Sequence, residues 1–322
     1  MRLTRRGRIV VTFTVVLATL AAAGLYAYHR LLGAVLLERC TATTAHGKTS
    51  LSPEQTANAA TIAGVAVRRR LPERAAVIAI ATAMQESKLR NLPGGDRDSI
   101  GLFQQRPSQG WGRPSQIGDP VYAADKFYDA LVKIRSYRTL PLTEAAQKVQ
   151  HSGAPLAYAK HESDAAVLAE ALTGRAPTAM ACALRPDQYT RAAVGANGLT
   201  PRGNQVRREL VHTYGELSLG GFEPGGISDG HMSGSAHYEG RALDVMFRPV
   251  TKARKRKGWA VAQWAVSHAY RLGITEVIYD GRIWTARRST QGWRRYDPPG
   301  GKTSNPTLMH RDHVHLTVAR GG

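Results

Sequence analysis

The chain has 322 residues, 43% of them hydrophobic, and carries 44 Lys and Arg against 24 Asp and Glu, a formal net charge of +20. That apolar share is enough for packed cores and excludes disorder as the default, while the length exceeds one ordinary domain, so two are expected. The cationic excess favours a polyanionic setting such as nucleic acid, anionic lipid or an acid-rich cell wall. There is no helix-turn-helix, zinc-finger or aromatic RNA-binding signature, which makes nucleic acid the weakest of the three as a partner.

Arg2, Arg5, Arg6 and Arg8 precede an uncharged, mostly apolar stretch from Ile9 to Tyr28. As a helix, at ~1.5 Å per residue, that stretch covers roughly the 30 Å of a bilayer core. The expectation is a cytoplasmic tail over 1–8 and a single transmembrane helix over 9–28. On that reading the protein is a single-pass cell-membrane protein with both domains extracytoplasmic. A signal peptide cleaved near Ala21, Ala22 and Ala23 is the alternative.

Export would place Cys40 and Cys182, the two cysteines, where disulfides persist. A bond between them would close a long loop, worth about 4–5 kcal/mol in the chain-entropy model. Two separate buried thiols are the other reading.

Residues 29–51 read as a polar stalk. Ser52 with Gln55 makes a capping box, and Pro53 sits at the first helical position of a helix running to about Arg70. Pro72 opens a second helix, on which Ala75, Ala79, Ala83 and Glu86 fall on one stripe beside Val77, Ile80 and Met84. Helical patterns follow at Tyr122 to Tyr137, Leu142 to Gln150 and Ser163 to Leu172, so 52–182 is expected to be a mainly α domain.

After a polar linker over 183–203, the segment 204–322 reads as α+β. It combines Gly-rich turns at Gly220 to Gly226, a helix near Gly258 to Leu272, and strands at Ala242 to Phe247, Glu276 to Tyr279 and Val314 to Val318.

In that second segment, Ser235-Ala-His237-Tyr-Glu-Gly240-Arg-Ala-Leu-Asp244 is followed far downstream by Asp312-His313-Val-His315. Imidazole nitrogen and carboxylate oxygen are ligands that zinc accepts, and three protein ligands leave a fourth position for water. Strand alternation turns Asp244 away from the apolar side. It also puts His313 and His315 together on the face opposite Val314, Leu316 and Val318. Gly240 permits the turn that returns His237 beside Asp244. The bland reading is that these are surface polar residues on ordinary strands.

These residues resemble the SxHxxGxAxD and HxH signatures of the zinc D-Ala-D-Ala carboxypeptidases and L-alanyl-D-glutamate endopeptidases, over roughly residues 200–322. The resemblance implies a hedgehog-type zinc peptidase-like fold with Zn2+ held by His237, Asp244 and His315. It also implies substrate contact at Ser235 and Asp312 as general base, although many relatives carry Glu at that position. His313 is a candidate to stabilise a tetrahedral oxyanion, and His310 is a spare polar group nearby.

In the helical segment, Gln85-Glu86-Ser87 followed by Ile100-Gly-Leu-Phe-Gln104 resembles the ES and GLMQ motifs of lysozyme-like lytic transglycosylases, over about residues 55–175. The resemblance implies a lysozyme-like domain with Glu86 as catalytic acid and Gln104 as a cleft residue, with Tyr158 lining the same cleft. Where that family carries an AYN motif, this chain has Val149-Gln150-His151-Ser152-Gly153. Asp96 and Asp98 are candidates for a second carboxylate.

Together the two resemblances imply a peptidoglycan-remodelling enzyme, with peptidoglycan and the membrane as partners. A non-catalytic wall-binding or scaffold protein built on degenerate hydrolase folds is the alternative.

Overall fold

The computed structural model describes residues 19, 21–26, 38–153, 156–184, 192–301 and 303–320. The chain divides into two units, Met1–Glu38 and Arg39–Gly322.

In the first unit, Thr19 and residues 21–26 are helical and exposed. Among the described residues, no helix is long and apolar enough to cross a membrane. This overturns the expected transmembrane helix over 9–28. The described helical residues fall well short of the roughly 20 a span requires, and the rest of 9–28, with the tail 1–8, lies outside the described residues. The single-pass membrane placement inferred from that helix falls with it.

The second unit is a mixed α/β body rather than a mainly α domain followed by an α+β one. It has a three-stranded sheet, ordered β2-β1-β3, and a six-stranded sheet, ordered β4-β5-β9-β6-β7-β8, with antiparallel pairings throughout. Part of the segment read as a stalk forms the hairpin β1 (Arg39–Thr44) and β2 (Gly47–Leu51). Its Thr-rich sequence suits a strand, but the pairing that holds it comes from β3 (Met180–Ala183), far along the chain. Cys40 stands opposite Cys182 in that pairing, and the two form the expected disulfide across a sequence separation of 142 residues.

Helix α1 (Pro53–Arg68) starts at the capping box: Gln55 N–H donates to the Ser52 hydroxyl, and the Ser52 N–H donates to Gln55 Oε1. Helix α2 (Glu73–Ser87) buries Ala75, Ala79 and Ala83 completely, letting its neighbours approach closely. Helices α3 (Pro120–Leu131), α4 (Leu142–Gln150) and α5 (Glu162–Leu172) complete the helical half. Here α3 ends before Tyr137, and the chain continues in turns.

Helix α6 (Pro201–Tyr214) leads into β4 (Leu219–Gly220) and β5 (Ala242–Met246). Helix α7 (Lys252–Leu272) then backs the sheet formed with β6 (Ile274–Tyr279), β7 (Arg282–Thr285), β8 (Arg294–Arg295) and β9 (His313–Val318).

Helix α7 joins the two halves. On it, Gln263 is fully buried. Its amide donates to the Ala171 and Ala176 carbonyls at 2.7 and 2.8 Å and accepts from Met180 N–H at 2.7 Å. His268, also buried, lies 3.3 Å from the Thr61 hydroxyl of α1. Burial pushes its pKa down to about 3, so it sits neutral in the core. These polar links, satisfied within the protein, run through a continuous apolar core that spans both halves.

Candidate metal centre

The register of the six-stranded sheet assembles the site. Val314, Leu316 and Val318 face the helix-backed core, while His313, His315 and Thr317 occupy the other face of β9. Asp244 on β5 is the direct cross-strand partner of His315. His237 lies on a single 3-10 turn, Ala236–Glu239, capped by the Ser235 hydroxyl, which accepts from His237 N–H. The turn ends at Gly240 in the left-handed region, φ 61°. A Cβ there would meet the Gly198 carbonyl oxygen at 2.6 Å, so glycine is what returns the chain to β5.

The metal-binding atoms of His237, Asp244 and His315 all lie within 4.8 Å of one another, and all three residues are buried. This group could hold a metal ion. The donor set fits one.

The His237 Nδ1–H donates to the Gly221 carbonyl at 2.6 Å, which leaves the Nε2 lone pair facing inward, 3.1 Å from His315 Nδ1 and 3.6 Å from Asp244 Oδ1. His315 Nε2 faces the Thr317 hydroxyl at 2.9 Å and the Glu276 carboxylate at 3.9 Å, which favours its proton there and leaves Nδ1 free to ligate. His315 Nδ1 is 3.0 Å from Asp244 Oδ1. Three acceptor atoms so arranged repel one another until a positive charge lies between them.

Gly221 was not legible as a site residue. Its φ is 76°, and a Cβ there would lie 2.3 Å from His237 Cε1. Only glycine lets that carbonyl reach the ring.

Asp312 immediately precedes β9. Its carboxylate is turned to other partners: Oδ2 accepts from Arg248 Nε at 2.7 Å and the Thr307 hydroxyl at 2.9 Å, and Oδ1 from His313 Nδ1 at 2.7 Å. Burial works against its charge, yet these donors keep its pKa below the usual value. His313 thereby presents Nε2 to the site, 3.9 Å from Asp244 Oδ1.

His310 packs its ring 4.6 Å from that of His313 and 5.5 Å from that of His315. Burial first, then those two imidazoles, push its pKa down to about 3. His231, which the motifs did not single out, stacks on His237 with ring centroids 3.9 Å apart. The cavity over the triad has a volume of about 810 Å³, and Met232, Tyr296 and Leu308 contribute to its walls.

In the helical half, Tyr158 is fully buried and its hydroxyl donates to Glu86 Oε1 at 2.6 Å. Burial, then the Glu86 contact, push the Tyr158 pKa up. Gln104 instead donates to the Gly101 carbonyl at 3.1 Å. Gln150, in the place of the expected AYN motif, donates to the Phe103 carbonyl at 2.7 Å and so braces the segment carrying Gln104. Asp98 accepts from Ser108 N–H and Arg106 Nε, the two contacts that lower its pKa most, and serves the loop. Asp96 is exposed and 3.9 Å from Arg97.

A family model described as the VldE C-terminal domain matches residues 195–307. This family is related to peptidase-like folds. The match includes His237 and Asp244 and ends before Asp312, His313 and His315. A search of curated proteins finds no match to the chain.

Proposed function

We propose that the chain is a zinc-dependent peptidase acting on the stem peptides of peptidoglycan, with a helical half that binds or cleaves the glycan strand. The observation that carries this reading is the buried convergence of His237, Asp244 and His315 on one point, with both imidazoles oriented by partners behind them. Zinc in such a site supplies Lewis acidity towards a carbonyl and activates water at neutral pH.

The chain's own residues do the rest. Asp312 orients His313 and keeps its proton on Nδ1, so His313 Nε2 takes a proton on the site side and passes it to the departing amine. Ser235 shapes the turn that carries His237. Carrying the proton on His313, with Asp312 behind it, accounts for why the Asp312 carboxylate is already held by three donors. In the helical half, Glu86 is the acid for glycan cleavage, and Tyr158 holds its carboxyl in place. The bracing of the Gln104 segment by Gln150 supports glycan binding as the second reading for this half.

The test is mass spectrometry of purified sacculi incubated with the protein, with and without chelator, alongside His237→Ala. New peptide termini that vanish with chelator and in the variant are the expected result. Their persistence in either arm would falsify the peptidase reading.

A further inference from the structure

A second cavity, of about 1030 Å³, lies beside the first, and Arg241, Glu276 and Thr317 line both. It sits where the C-terminal end of α7, the start of β6 and the end of β7 meet, and its lining is rich in arginine. Arg241 and Arg320 share Glu239. Arg287, Arg288 and Arg294 have no carboxylate partner among the described residues.

Arg287 and Arg288 are exposed. Arg294 donates from Nη2 to the Thr285 hydroxyl at 3.0 Å, while its buried Nε has no partner among the described residues. A buried guanidinium N–H without an acceptor is costly, and bidentate oxyanions are the ligands whose geometry matches it.

We propose that this cavity is a carboxylate-binding subsite for an acidic peptide, in which Arg287, Arg288 and Arg294 hold side-chain or terminal carboxylates of a chain that continues into the metal centre. The direction of that chain rests on the peptidase reading above. Glu276 decides between peptide and polyphosphate as the anion. It stands between the arginines and the triad, 3.9 Å from His315 Nε2, so a polymer charged at every unit meets repulsion there. A peptide with spaced carboxylates places a neutral amide at that point.

The probe is a fluorescein-labelled, amide-capped peptide of alternating glutamate and alanine, titrated against the full chain in chelator. Binding is thus read without hydrolysis, and failure of the peptidase reading leaves it intact. Affinity should fall with added salt and drop about tenfold in Arg287→Gln/Arg288→Gln, two substitutions at exposed positions. A control pair with the same loss of charge, Arg135→Gln/Arg138→Gln on the helical half, should leave it unchanged. Equal weakening in both pairs, no weakening in either, equal binding of the same peptide with glutamine in place of glutamate, or tighter binding of tripolyphosphate would each overturn the proposal.

Discussion

Glu86 and the His237, Asp244 and His315 triad are both polar groups set at the edge of packed structure, but their local balance differs. The Glu86 carboxylate already has a donor, the Tyr158 hydroxyl, on Oε1. In the triad the donors all stand behind the ligating atoms, at Gly221 and Thr317, and the inward-facing atoms are acceptors. A satisfied pair can be structural or catalytic. Converging acceptors need a cation or a shared proton between them, so the geometry favours a guest at one site and leaves the other to be decided by chemistry.

The sharpest way to break this contrast is to remove a ligand. His237→Ala or Asp244→Ala should abolish stoichiometric metal in the purified protein and lower peptide release by on the order of a thousandfold. Elemental analysis and the sacculus digest check this together. Glu86→Gln in the same assays should leave metal content and peptide release untouched. Any loss of metal there would couple two sites that the structure keeps apart in chemistry.

The next effect concerns the frame that holds both. Gln263→Leu strips three hydrogen bonds from a fully buried side chain, removing its amide from Met180 N–H and from the Ala171 and Ala176 carbonyls, of which Ala171 keeps the Gly174 N–H. The cost should be about 3 kcal/mol, read as a lower denaturant midpoint. Because the core runs through both halves, wild type should unfold in one transition by fluorescence and by far-ultraviolet circular dichroism. Two separate transitions would mean the halves are energetically independent.

That connection was the part of the fold the sequence hid. The capping box at Ser52 and Gln55, the strand alternation around Asp244 and His315, and the turn at Gly240 were legible because each is a local rule acting within a few residues. The hairpin at 39–51 read as a stalk because its pairing partner is β3, and only Cys182 hinted at it. Gln263 looks like any polar residue on an amphipathic helix until its three backbone partners arrive from α5, the turn after it, and β3. Nothing local to Asp312 signals that Arg248 and Thr307 claim its carboxylate. The apolar run at 9–28 was long enough by composition, yet no described helix realises a span.

A smaller change tests the inner workings of the metal centre. Gly221→Ala would force a methyl to within 2.3 Å of His237 Cε1 in a backbone conformation that L residues rarely adopt. The ring must move or lose its carbonyl acceptor. Loss of an orienting partner of this kind typically lowers metal affinity 10–100-fold, about 1.4–2.7 kcal/mol. Competition with a chromophoric chelator should show this while the folded state is retained. Unchanged affinity would mean that the Gly221 carbonyl does not set the His237 tautomer.

The smallest expected effect lies at the satisfied site. Tyr158→Phe removes one buried hydroxyl and keeps the ring, so stability should fall by about 1 kcal/mol, the ordinary worth of such a bond. If Glu86 acts on glycan, its carboxyl needs Tyr158 to hold it, and the yield of glycan fragments should drop more than the stability loss explains. Metal content should not move. A variant with normal glycan products would take Tyr158 out of the chemistry, whereas no glycan products in the wild type would assign the Glu86 and Tyr158 pair to structure alone. In that last case the triad would be the chemical centre of the described residues, and the helical half its binding surface.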